Sequence, residues 1–150
     1  MKRLVVAALL TVAACSQPAS EQATPPAPPP VASADAATAE LLAAATPVVS
    51  EDFGQLVSLS PSIVRIQDDW AWLVAQPQTP DGGPIDLSAT PFASAVENGV
   101  FDGNGTTYVL LKRENGAWRV VDHAIGPTDV AWEGWPQRYG APASVMDLGQ

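Results

Sequence analysis

The sequence predicts one α+β domain: an antiparallel sheet of about four strands with two or three short helices covering one face, following a disordered Pro/Ala-rich tether. Three observations predict it. Asn115-Gly116, a pair favoured in two-residue hairpin turns, separates two runs rich in β-branched and aromatic residues. A second pair of such runs flanks Asp68-Asp69. An Ala/Leu-rich stretch of high helix propensity precedes them all.

Taken in order, residues 36–45 predict a helix, with Asp35 as a cap and Pro47 as the stop. Val57 and Leu59 alternate with Ser58 and Ser60, the period of a half-buried strand, and Ile63-Val64-Arg65-Ile66 continues it. Gln67-Asp68-Asp69 turns the chain, and residues 70–75 return as a second strand. Residues 76–90 hold Pro77, Pro80, Pro84 and Asp81-Gly82-Gly83, so they predict a long loop. Thr90-Pro91 supplies an N-cap and a first-turn proline for a short helix over 92–97 that Gly99 ends. Beyond the Asp102-Gly103-Asn104-Gly105 turn, residues 107–113 and 118–125 form the clearest hairpin. In the stretch 126–140, Thr128 or Asp129 could cap a helical turn ended by Pro136, with Trp132 and Trp135 sharing a face.

Composition bounds the function. The chain has 150 residues, and after an N-terminal segment of about 35 there is room for one domain only. Seven basic residues face 16 acidic ones, a net charge of −9. Lys2 and Arg3 precede Cys15, so a chain cut there keeps 5 of the 7 and all 16 acids, or −11. That balance repels phosphate backbones, and nucleic acid is excluded as a partner. One cysteine excludes an intrachain disulfide and one histidine excludes a His-rich metal site.

The N-terminus divides into residues 1–14, 15–35 and the domain at 36–150. Lys2-Arg3 precede an apolar run over 4–14, the length of a signal-peptide core and too short to span about 30 Å of hydrocarbon. Val12-Ala13-Ala14-Cys15 resembles the lipobox of bacterial lipoproteins. The resemblance implies cleavage before Cys15, acylation of Cys15 and anchorage in the cell envelope. It also implies sorting to the outer membrane, periplasmic face, because Ser16 stands where Asp would signal inner-membrane retention. The alternative is an ordinary signal peptide with Cys15 incidental. Residues 16–35 carry Pro18, Pro25, Pro26, Pro28, Pro29 and Pro30 and no aromatic, Leu or Ile. They predict a spacer that reaches up to ~60 Å, or a Pro-rich ligand for a groove-type domain.

Candidate chemistry is sparse. His123 is the only imidazole, and Asp129 or Glu133 downstream could orient it as a general base. On a plain two-residue-turn register His123 lies across from Tyr108, and the plainer reading packs it there. Asp102 to Thr106 matches half a calcium loop, but Arg113 occupies the position that needs Glu, so it predicts a turn. No phosphate cradle, nucleophile elbow, CxxC or HExxH occurs, and no metal or cofactor is expected. Five tryptophans predict core packing, with Trp135 and Tyr139 as the expected exposed exceptions. Arg138 beside them could bind a carboxylate ligand or pair with Glu133. The candidate ligand residues are therefore His123, Trp132, Trp135, Arg138 and Tyr139.

Asp69-Trp70-Ala71-Trp72-Leu73, Pro80-Asp81-Gly82, Leu110-Leu111-Lys112-Arg113, Gly116-Ala117-Trp118-Arg119-Val120-Val121 and Gly126-Pro127-Thr128-Asp129-Val130 together resemble a group of small uncharacterised exported proteins of proteobacteria. That resemblance spans 55–140 and implies a shared domain without an activity. The Gly-x-Trp-x-Val-Val hairpin is also similar to the closing strands of cystatin-like and NTF2-like folds. The expectation is a lipid-anchored accessory or binding module facing the periplasm, with a small-molecule or protein partner and no catalysis. Two alternatives stand beside it: a small hydrolase or lyase using His123 with Asp129 or Glu133, and a structural envelope protein that binds others through the C-terminal aromatic stretch.

Overall fold

The computed structural model describes residues 34–148. The expected signal peptide, Cys15 and residues 16–33 of the expected tether lie outside the described residues; Ala34 and Asp35, expected in the tether with Asp35 as the cap, already belong to the first turn of a helix. Helix α1 spans Ala34–Phe53 and buries Leu41, Ala45, Val49 and Phe53, a stripe at four-residue spacing. It therefore runs eight residues past the expected end at position 45, straight through Pro47. Proline there removes one N–H and crowds the carbonyl four residues back, at about 3 kcal/mol. Pro47 and Ala43 are both exposed, so water reaches the freed carbonyl. Burying Val49 and Phe53 contributes about 1.5–3 kcal/mol each, and the helix continues. Gly54 at φ +66° ends it, its N–H donating to Glu51 and that of Gln55 to Ser50.

Strands β1 (Ser58–Gln67), β2 (Trp70–Gln78), β3 (Thr107–Glu114) and β4 (Ala117–Ile125) form an antiparallel sheet in the order β1-β2-β3-β4. Edge strand β1 tolerates Pro61, and its register shifts between Pro61 and Ile63. Asn115 and Gly116 both have positive φ (+53° and +81°), as their hairpin turn requires. The loop after β2 holds a 3-10 turn over Leu87–Ala89 and the short helix α2, Ala93–Glu97.

The pairing of β3 with β4 departs from the plain register. Glu114↔Ala117 through Leu111↔Val120 are followed by Leu110↔Asp122, so Val121 is a bulge residue. One extra residue reverses which side every later side chain faces. His123 consequently lies opposite Val109, not Tyr108 as the sequence suggested.

The sheet is covered on both faces, where helices on one face were expected. On one face α1 packs over Ala71, Leu73, Val109, Leu111 and Trp118. On the other, the chain after β4 returns across the sheet and buries Trp135, Ala141, Val145 and Met146 against Trp72, Val74 and Leu110. This segment carries helix α3, Trp135–Tyr139, and a 3-10 turn over Ala143–Met146. Pro136 sits in the first turn of α3, a position that suits its missing N–H, so it opens a helix rather than ending one.

Candidate functional site

The polar centre of the α1-facing side is a side-chain contact between His123 Nε2 and Asp52 Oδ2. Two local departures build it. The continuation of α1 beyond Pro47 carries Asp52 to the sheet, and the Val121 bulge turns His123 toward the helix. Both side chains keep contact with solvent, His123 at 24% exposure and Asp52 at 42%.

A recess of about 410 Å³ opens beside the pair, lined by Asp52, Pro91, Phe92, His123 and Ile125. Thr90 fixes its aromatic wall: its Oγ1 accepts from the Phe92 N–H at 3.2 Å and donates to the Leu87 carbonyl at 2.7 Å. Phe92 meets Phe53 edge-on at 5.1 Å and lies 4.9 Å from Phe101, so all three phenylalanines of the chain support this wall. With Nε2 turned to Asp52, Nδ1 is the ring nitrogen that this contact leaves unengaged. The lining offers one hydrogen-bonding corner and an apolar body, with no hydroxyl or thiol nucleophile.

Of the residues predicted from sequence, only His123 lines this recess. Its partner is Asp52, not Asp129 or Glu133. The other four form a cluster across the sheet. Trp135 is 4% exposed and packs edge-on to Trp72 at 5.9 Å, so the expectation that it stands exposed is corrected. Trp132 stacks on Tyr108 at 4.1 Å and approaches Trp72 at 5.5 Å. The Tyr139 hydroxyl donates to Asp122 Oδ2 at 2.6 Å, and Arg138 pairs with the same carboxylate at 3.8 Å rather than with Glu133. Asp122 Oδ1 accepts from the His123 backbone N–H at 2.8 Å. These rings are occupied with one another, as side chains closing a core are.

Asp52 is the residue of this candidate site that sequence reasoning missed. Its signal was the 41, 45, 49, 53 apolar spacing, which continues past Pro47 and places Asp52 in the last helical turn. Among the described residues no group of three or more His, Cys, Asp or Glu side chains could hold a metal ion, and no helix is long and apolar enough to cross a membrane. No protein-family model, curated protein or solved structure matches the chain.

Proposed function

We propose that this chain is a lipid-anchored binding module of the bacterial cell envelope, held by acylated Cys15, facing the periplasm and taking a small molecule in the recess at Asp52, Phe92, His123 and Ile125. The observation that carries the reading is the character of that recess: an apolar wall with one polar corner, the usual composition of a small-molecule site. Asp52 has a carboxylate oxygen beyond the one that meets His123, so the ligand that fits has a cationic or hydrogen-bond-donating head and an apolar body. The lack of a hydroxyl or thiol in the lining supports binding rather than covalent catalysis. Val12-Ala13-Ala14-Cys15 supports the anchor, and two or more acyl chains hold a protein stably at a bilayer. Ser16 supports the outer membrane, and the Pro-rich residues between Cys15 and α1 serve as the spacer.

Two experiments test the reading. Thermal melts of the full chain with amines, amino sugars, oligosaccharides, muropeptides and fatty acids should yield a stabilising ligand. At 100 times its Kd a ligand adds ~2.7 kcal/mol, a shift of roughly ten degrees. The shift should vanish in Phe92→Ala and Asp52→Asn; a flat panel over a cooperative melt counts against the recess. Separately, Cys15→Ser should release the chain from the membrane fraction or leave it unprocessed, and a chain that is still processed to its mature length and still held in the membrane fraction refutes the anchor.

The Asp52–His123 pair favours a second reading, a small hydrolase or lyase with His123 as general base and Asp52 in the orienting role first given to Asp129 or Glu133. A pH-dependent turnover that falls at least 100-fold in His123→Ala distinguishes it from the binding module.

A further inference from the structure

We propose a second binding site, on the sheet face away from the recess, for a small molecule that carries an oxyanion. Its residues are Lys112, Arg119 and Trp70. The register sets them in one row across the sheet: Trp70 lies opposite Lys112, and Lys112 opposite Arg119. Residues paired in this way point to the same side of the sheet, with Cβ atoms about 4.5–5.5 Å apart. Two like charges directly opposite each other repel.

No ion pair within the described residues relieves that repulsion. Of the basic side chains, Arg65 pairs with Asp147 and Arg138 with Asp122. The Lys112 and Arg119 side chains make neither an ion pair nor a hydrogen bond among the described residues, in a chain with 16 acids against 7 bases. Glu114, two residues along β3 on the same face, pairs with neither. Asp122, the next residue on this face beyond the bulge, is held by Tyr139 and Arg138. Arg113 turns to the other face and lies over the Trp118 ring at 4.4 Å.

An oxyanion between Lys112 and Arg119 converts the repulsion into two charge-assisted hydrogen bonds, at typical N···O distances of about 2.7–2.9 Å. Trp70 gives the site a flat apolar side. Its indole is half-buried, and the Lys112 Nζ lies 5.2 Å from the ring centroid, so the cation and the ring are already in register. The ligand is therefore a carboxylate or phosphate on a planar or apolar body. The net charge of the chain does not forbid it: at physiological ionic strength the Debye length is about 8 Å, so charges farther away than that are largely screened. The site is independent of the recess and of the anchor.

Calorimetric titration of the full chain in non-ionic detergent tests it, with phenyl phosphate, benzoate and inorganic phosphate as probes up to roughly 10 mM. Phenyl phosphate or benzoate should bind at one equivalent. Lys112→Gln and Arg119→Gln should each weaken that binding tenfold or more, while their melts match the wild type to show that the fold is intact. Trp70→Leu should weaken the aromatic probes and leave inorganic phosphate within twofold. His123→Ala should change none of these values. The order of affinity between benzoate and phenyl phosphate identifies the oxyanion. No saturable heat from any probe overturns the proposal, as does binding that survives both charge substitutions.

Discussion

Gly126 is the position where one methyl group should do the most damage. It sits at φ +56°, where an L-residue costs about 1–2 kcal/mol more than glycine. A Cβ there would lie 2.6 Å from Cε2 and Cζ of Phe101 and 2.7 Å from Cε1. Carbon–carbon contact is comfortable near 3.5–4.0 Å, so the ring would have to withdraw by roughly 1 Å. It has no free space to enter, because Phe101 is buried and lies 4.9 Å from Phe92. Overpacking of this kind adds about 1–3 kcal/mol. Gly126→Ala should thus lose about 2–5 kcal/mol in urea denaturation, out of the 5–15 kcal/mol usual for a domain. The melting temperature should fall by roughly 10–20 °C. Phe101→Leu in the Gly126→Ala background should restore part of the packing loss, a non-additivity expected of neighbours in contact. Gly116→Ala has open space around its Cβ and a similar φ of +81°, so it should lose only the backbone share. A Gly126→Ala protein within 1 kcal/mol of wild type, or a strictly additive double variant, refutes the reasoning. Because Phe101 supports Phe92, Gly126→Ala should also weaken any ligand of the recess.

Four further outcomes follow from the same contacts. Pro47→Ala restores an N–H donor in α1 and should raise stability by about 1–3 kcal/mol in urea denaturation, less the unfolded-state entropy that proline removes. Trp118 Nε1 is buried without a hydrogen-bond partner, so Trp118→Phe removes an unsatisfied donor worth about 1–3 kcal/mol and should stay within about 1.5 kcal/mol of wild type despite the smaller ring. A double-mutant cycle between Asp52→Asn and His123→Ala should give a coupling of about 0.2–1 kcal/mol, because the pair is solvent-accessible. The Thr79 hydroxyl holds the Asp81 carboxyl below its ordinary value. A depressed carboxylate contributes stability above its unfolded pKa and loses it as pH falls through the folded value, so an Asp81→Asn comparison should show a difference that fades only on the acid limb of the melting curve.

The strands were legible because their signals are local. Asn115-Gly116 demands positive φ at both residues, and the sheet turns there. Asp68 likewise turns β1 into β2 at φ +54°. Two features were not legible for one shared reason: each is decided by tertiary contacts. Propensity stops α1 at Pro47, but the burial of Val49 and Phe53 outweighs the lost hydrogen bond. The period-2 rule places His123 opposite Tyr108, but the Val121 bulge moves it opposite Val109. The covering of the second face did leave a trace. Residues 71–75 are all buried in β2, and their unbroken apolar run, Ala71-Trp72-Leu73-Val74-Ala75, is the pattern of a strand packed on both sides. The aromatic C-terminal stretch that supplied four candidate ligand residues is the element that does the covering. Of the site at Asp52 and His123, the sequence carried the histidine and hid its partner, since 71 positions separate the two.

Backbone-resolved NMR of the full chain, titrated with the stabilising ligand found among the amines, sugars and lipids, tests the binding reading most directly. The predicted result is that shift changes centre on Asp52, Phe92, His123 and Ile125, and that they disappear in Phe92→Ala. Changes centred on Trp132, Trp135 and Tyr139, or spread evenly over the sheet, contradict the recess as the binding site.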